Sequence, residues 1–94
     1  MLFERTELQI IEGQEEGFRA AMKDRGIGML ASVPGVMSVS VGRGVENPGK
    51  FMLLVAWENM DAHIAYNKTP VCLEVRQLIR PFSKGGNMEH FQMD

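Results

Sequence analysis

Seven apolar residues in succession, Phe51 to Trp57 (FMLLVAW), constrain this chain more than anything else in it. The run is bounded by Gly49-Lys50 and Glu58-Asn59, and its length suits a strand better than a helix. It shows no polar alternation, so both faces need cover, as in a strand buried inside a sheet. At 94 residues the chain makes one domain, 1–94, with a single core. One helical layer covers one face of its sheet. The simplest cover for the other is the sheet of a second copy.

The remaining segments supply that layer and the neighbouring strands. Residues 2–12 alternate, with Thr6, Leu8 and Ile10 on one side and Arg5, Glu7 and Gln9 on the other, and read as the first strand. From Gln14 to about Ser32 the period becomes helical, with Phe18, Ala21, Met22, Met29 and Val33 on one stripe. Gly26 and Gly28 weaken that helix, each by roughly 1 kcal/mol relative to alanine, and predict a bend or break. Pro34-Gly35 ends it. Met37, Val39 and Val41 then alternate with Ser38, Ser40 and Gly42 in a second strand, and Glu46-Asn47-Pro48-Gly49 turns the chain back into the apolar run. A short helix follows over 59–67, with Asn59 as N-cap and Asp61 at the positive end of its dipole. Thr69-Pro70 opens another, 70–80, stopped by Pro81. Residues 83–87 read as a loop and 88–93 as a last strand.

The order is β-α-β-β-α-β with the second helical segment split in two. That predicts an α+β, ferredoxin-like fold: a four-stranded antiparallel sheet with helices on one face. Met, Val and Leu side chains of the central strands are expected on the bare face. An apolar patch of that size is rare on a monomer, so homodimerisation through the sheet face is expected on structural grounds alone.

Charge and motifs narrow the function. A net charge of −2 argues against a nucleic-acid partner, which usually demands a basic face, and no apolar run approaches the roughly 20 residues of a membrane span. The start, MLFERTEL, carries Glu4, Arg5 and Glu7 without an apolar stretch and does not read as a signal peptide. With a single cysteine, Cys72, no internal disulfide can form, and a reducing cytoplasmic setting fits. Cys72 reads as a small buried hydrophobe and a poor nucleophile. His63 and His90 are far apart in sequence and lack H-x-x-H or H-E-x-x-H spacing, so no metal site is expected. Gly42-Arg43-Gly44 lacks the further glycine and following helix of a phosphate loop and suits a hairpin instead. The eight methionines read first as core filler.

With PGVMSV, the turn ENPGKF, the run LLVAWE and Ala62-His63 soon after the tryptophan, the chain resembles the antibiotic biosynthesis monooxygenase family of the dimeric α+β barrel superfamily. The resemblance implies two ferredoxin-like sheets closing face to face. It implies chemistry less sharply, because the family spans quinol oxygenation, haem degradation and proteins without known activity. In the cofactor-free branch a tryptophan closes the third strand, as Trp57 does here. His63 stands where that branch has a tyrosine, Leu53 where it has an asparagine, and Gln77 near its helical arginine. The haem-degrading branch needs asparagine, tryptophan and histidine near Thr6, Tyr66 and Arg76, and none of the three is present.

On a helix starting at Asn59, Met60 and Ile64 are expected to point inward, with His63 and Asn67 about 60° and 20° from that direction. A neutral histidine can take the proton of a phenol or hydroquinone, and the resulting anion is electron-rich enough to reduce O2 without flavin or metal. Asn67 is placed to hydrogen-bond the developing quinone oxygen. The expected site has His63 and Asn67 as catalytic residues and Trp57, Met60, Ile64, Tyr66 and His90 against the substrate. Four of them have a plainer reading. His63 is a half-exposed helix-edge histidine, Trp57 a core anchor, Tyr66 an interfacial or exposed residue about 120° from the inward direction, and His90 a solvated or interface histidine. The expected function is thus a cofactor-independent monooxygenase acting on a small aromatic phenol or hydroquinone. The rival is a non-catalytic small-ligand binder or stress-related dimer.

Overall fold

In the computed structural model, which describes residues 1–94, the apolar run forms β3 (Lys50–Trp57). It is flanked by β2 (Val36–Arg43) and β1 (Leu2–Ile10), and β4 (Ser83–Gln92) pairs with the far edge of β1. All pairings are antiparallel, in the order β2-β3-β1-β4. Because side chains alternate along a strand, Phe51, Leu53, Val55 and Trp57 all point to the helical side and are buried there. Across the β1 pairing they stand opposite Leu8, Thr6, Glu4 and Leu2. Phe18 packs edge-on against Phe51, ring centres 5.0 Å apart, and ties the first helix to this floor.

That first helical segment is continuous but not uniform: α1 (Glu15–Ala21) runs through a π-helical turn, Met22–Gly26, into α2 (Ile27–Ala31). The weakness predicted around Gly26 is absorbed as a wider turn rather than a break. A Cβ on Gly26 would lie 2.6 Å from the Met22 sulfur, so the turn packs against a position with no side chain. Helix α3 (Met60–Tyr66) is capped by Asn59, whose Oδ1 accepts from the Ala62 N–H at 2.9 Å. Thr69 caps α4 (Pro70–Ile79), accepting from the Cys72 N–H, and a 3-10 turn, Arg80–Phe82, leads into β4.

Three sequence expectations need correction. Strand β4 starts at Ser83, not at 88: Gly85 and Gly86 pair with Gln9 and Leu8 before a register shift at Ile10. A Cβ on Gly86 would fall 2.0 Å from the Glu7 carbonyl oxygen, so glycine is what the close strand approach requires rather than a loop signal. Met37 does not share a face with Val39 and Val41. An irregularity between Val36 and Ser38 turns it out to solvent. The bare sheet face is also more mixed than expected. Val39 and Val41 face the helices, while the open side carries Phe3, Met52, Leu54 and Phe91 around an ionic cluster. There Arg5 pairs with both Glu7 and Glu89 and lies over the Phe91 ring.

Gly35 joins this scaffold to α3. Its φ is +90°, its carbonyl accepts from the Glu58 N–H at 2.7 Å, and an added Cβ would meet the Ala62 Cβ at 2.4 Å. Gly35→Ala is expected to lower unfolding free energy by about 3 kcal/mol, because backbone strain and a steric clash act together. Urea denaturation measures this, and unchanged stability would mean that α3 is not held against this turn.

Candidate functional site

The site begins with a carboxylate in an unusual place. Glu4 has the same strand parity as Leu2, Thr6 and Leu8, so it points under the helices and is only 5% exposed. Its oxygens are occupied. The Trp57 Nε1–H donates to Oε1 at 3.0 Å and the Thr6 hydroxyl donates to Oε2 at 3.0 Å. His63 comes down from α3 with Nε2 3.4 Å from Oε1 of the same carboxylate. Its other nitrogen, Nδ1, lies 2.7 Å from Nε2 of His90, which stands opposite Glu4 in the β1–β4 pairing. Three elements thus form a line: Glu4 on β1, His63 on α3 and His90 on β4.

With Glu4 as a carboxylate, one tautomer satisfies the line. His63 directs its Nε2–H at Glu4, and its Nδ1 accepts from the Nε2–H of His90, which leaves Nδ1 of His90 as the terminal acceptor. The His63 pKa is lowered, first by burial, then by the positive charge His90 can carry; the Glu4 charge opposes both. His63 is therefore neutral at neutral pH. Trp57 packs on it at 5.0 Å and on Tyr66 at 5.5 Å. Burial pushes the Tyr66 phenol well above its usual range, so it remains a neutral donor.

These groups close one end of a cavity of about 530 Å³ between the sheet and helices α3 and α4. That volume is in the range of small-molecule sites. Leu8 and Leu53 line its sheet side and Leu30, Val75 and Ile79 its helical side, while Glu4, Thr6, His63, Tyr66 and Asn67 provide polar groups. Arg76, Arg80 and Lys84 also border it. Asn67 Oδ1 accepts a weak hydrogen bond from the Cys72 thiol at 3.9 Å.

The expected site residues separate into two groups. His63, Tyr66 and Asn67 line the cavity; Trp57 lies beneath His63 and Tyr66 and supports them without bordering the space; His90 reaches it through His63. Met60 and Ile64 do not belong to it. They are 41% and 45% exposed, whereas His63 and Tyr66 are 3% and 8% exposed, so α3 is rotated by about 110° from the orientation expected. Two apolar residues did not set that orientation, because the Trp57 ring and the Glu4 carboxylate present an aromatic and a charged surface that His63 and Tyr66 match better. Glu4 is not among the expected site residues, although its parity with Thr6, Leu8 and Ile10 marks it in the sequence as an acid on an apolar strand face. Arg76 lines the cavity where the family resemblance had pointed to its neighbour Gln77.

Glu4, His63 and His90 are also the three potential metal ligands that the fold brings together, within 4.8 Å of one another. A tetrahedral ion with bonds of about 2.1 Å needs donors about 3.4 Å apart that converge on one point. Here the middle imidazole turns a different nitrogen to each neighbour, which suits a line of polar groups in sequence better than a shared ion.

The lowered His63 pKa has a consequence for stability. As pH falls below about 6.5, the unfolded chain takes up a proton that the folded site resists, so stability declines from that point down to the folded pKa. In His63→Gln this part of the pH dependence should vanish, as read from urea midpoints between pH 7.5 and 5. Glu4→Gln removes the charge that opposes desolvation and should lower the His63 pKa further, which NMR titration of the imidazole measures.

Comparison with known proteins places this geometry in context. Nothing among curated proteins matches the chain significantly. Among solved structures, a candidate antibiotic biosynthesis monooxygenase of Bordetella bronchiseptica superposes with a TM-score of 0.90 at 23% identity, over 99% of this chain and 96% of that one. Counterparts from Nitrosomonas europaea (0.83, 16% identity, 99% and 98% covered) and Deinococcus radiodurans (0.84, 13%, 100% and 93%) share the same architecture. At such identities the likeness establishes the fold alone. The family model for antibiotic biosynthesis monooxygenases, however, matches residues 1–78, and the chain belongs to that family.

Proposed function

We propose that this protein is a monooxygenase that acts on a small, flat phenol or hydroquinone with O2 and needs no cofactor. The observation that carries this reading is the relay of Glu4, His63 and His90 at the polar end of an apolar cavity. A phenol lying along Leu53 and Val75 brings its hydroxyl to the His63–His90 pair. The phenol hydroxyl takes the place of the His90 N–H as donor to Nδ1 of His63, this nitrogen receives the proton, and Glu4 stabilises the imidazolium that forms. The phenolate gives electrons to O2; one oxygen atom enters the ring and the other leaves as water, so that phenol and O2 become quinone and water. Asn67 holds the developing carbonyl through its amide. Family membership supports a monooxygenase in general. The phenolic substrate rests on the chemistry of the cavity.

Oxygen uptake with dihydroxynaphthalenes and anthrones, corrected for autoxidation, tests the reading. Turnover should persist after chelation of metals, and His63→Ala should lower kcat/KM by at least about 100-fold. Since kcat/KM follows the neutral imidazole, it should stay at its plateau to below pH 6.5 and fall on further acidification. Loss of activity on chelation, or equal turnover by the mutant, overturns the mechanism. Tight binding of these phenols with no oxygen uptake would replace the enzyme with a non-catalytic binder.

The same reading includes a homodimer formed through the open sheet face, where Phe3, Met52, Leu54 and Phe91 supply apolar surface and Arg5 with Glu89 a self-complementary ionic pair. Sedimentation at micromolar concentration should give twice the chain mass, and Leu54→Arg should shift the protein to monomer. A stable wild-type monomer excludes the assembly.

A further inference from the structure

The phenol reading makes no use of the cations around the cavity. Arg76 and Arg80 are four residues apart at the C-terminal end of α4, so they share a helical face, and Lys84 lies at the start of β4. All three border the cavity. None has a carboxylate within 4.0 Å: the chain's ion pairs engage Arg5, Arg43, Lys50 and His63 instead. Glu4 is the one acid that lines the cavity, and it is committed to Trp57, Thr6 and His63.

The helix dipole accounts for part of this pattern, since cations are favoured at a helix C-terminus. It does not account for Lys84, which is on a strand. It also does not explain why two like charges sit at the unfavourable four-residue spacing with no acid between them, in a chain whose net charge is −2. Lys84 lies between residues paired with Gln9 and Ile10, about 17 Å along β1 from Glu4. The cavity therefore carries the polar relay at one end, Lys84 toward the other, and Arg76 and Arg80 along its α4 side.

We propose that the substrate carries a carboxylate on its aromatic frame, and that Arg76 and Arg80, aided by Lys84, seat this group while the phenolic end reaches His63. A guanidinium presents two parallel N–H donors that match a carboxylate. The two ends of the cavity thereby fix the direction in which the ring enters. This inference rests on the cavity being the aromatic site, and it is independent of whether oxidation occurs there.

The probes are 2-naphthoate and its neutral isostere 2-naphthamide, neither of which has a phenol to oxidise, titrated calorimetrically into the full-length protein. At low salt naphthoate should bind at least about tenfold more tightly, and raising NaCl to about 0.5 M should remove most of that preference. Arg76→Gln/Arg80→Gln should bring the ratio of the two affinities close to one. Lys84→Gln should weaken naphthoate alone, by about threefold. Equal affinities in the wild type, no naphthoate binding at millimolar concentration, or a preference that survives the double substitution overturns the proposal. Because no turnover is involved, a failure of phenol oxidation leaves this result standing, and turnover of neutral quinols does not rescue it.

Discussion

A carboxylate buried under a tryptophan sets the terms for everything at the working end of this molecule. Removing a charged group from water costs several kcal/mol unless its lone pairs are met by donors. Glu4 meets that condition with the Trp57 indole N–H, the Thr6 hydroxyl and the His63 imidazole. Each partner comes from a different constraint. Thr6 is two residues along the same strand face, Trp57 ends the neighbouring strand, and His63 is held on a helix whose start is fixed by the Asn59 cap. A shift of one residue in the β1–β3 register would turn Glu4 to the open face and leave the indole and imidazole unmatched.

That arrangement also orients α3. A helix with apolar residues at Met60 and Ile64 would ordinarily bury them, yet here both face outward and a histidine and a tyrosine face in. The gain from burying two aliphatic side chains is a few kcal/mol. An unmatched carboxylate and indole beneath the helix would cost a comparable amount, and ring packing of His63 and Tyr66 on Trp57 adds to the outcome observed. The electrostatic result is a histidine kept neutral by burial beside an acid that can stabilise its charged form, the pairing that proton transfer requires.

Much of the architecture was legible because it depends on short-range physics. The Asn59 and Thr69 caps, the proline opening α4 and the Asn47-Pro48-Gly49 turn are local backbone choices, and they appear where the residues indicate. The first residues of β4 were not legible, because Gly85 and Gly86 look like a loop until the backbone of β1 is seen pressed against them. The orientation of α3 was not legible either, because hydrophobic periodicity ranks residues by water aversion and knows nothing of the surface they will meet. The bare face was misjudged for a related reason: the pleat sent Val39 and Val41 toward the helices and left Arg5 and its carboxylate partners on the open side.

By itself the amino-acid order determined a four-stranded antiparallel sheet under one layer of helices, since alternation, helical period and turn chemistry are encoded within a dozen residues. The family resemblance also singled out His63, at the position where the cofactor-free branch has a tyrosine. Only the tertiary structure decided that His63 stands between Glu4 and His90, which lie 59 and 27 residues from it. Contacts of that kind follow from strand register and helix rotation, and these are settled by the packing of the whole core rather than by any single segment.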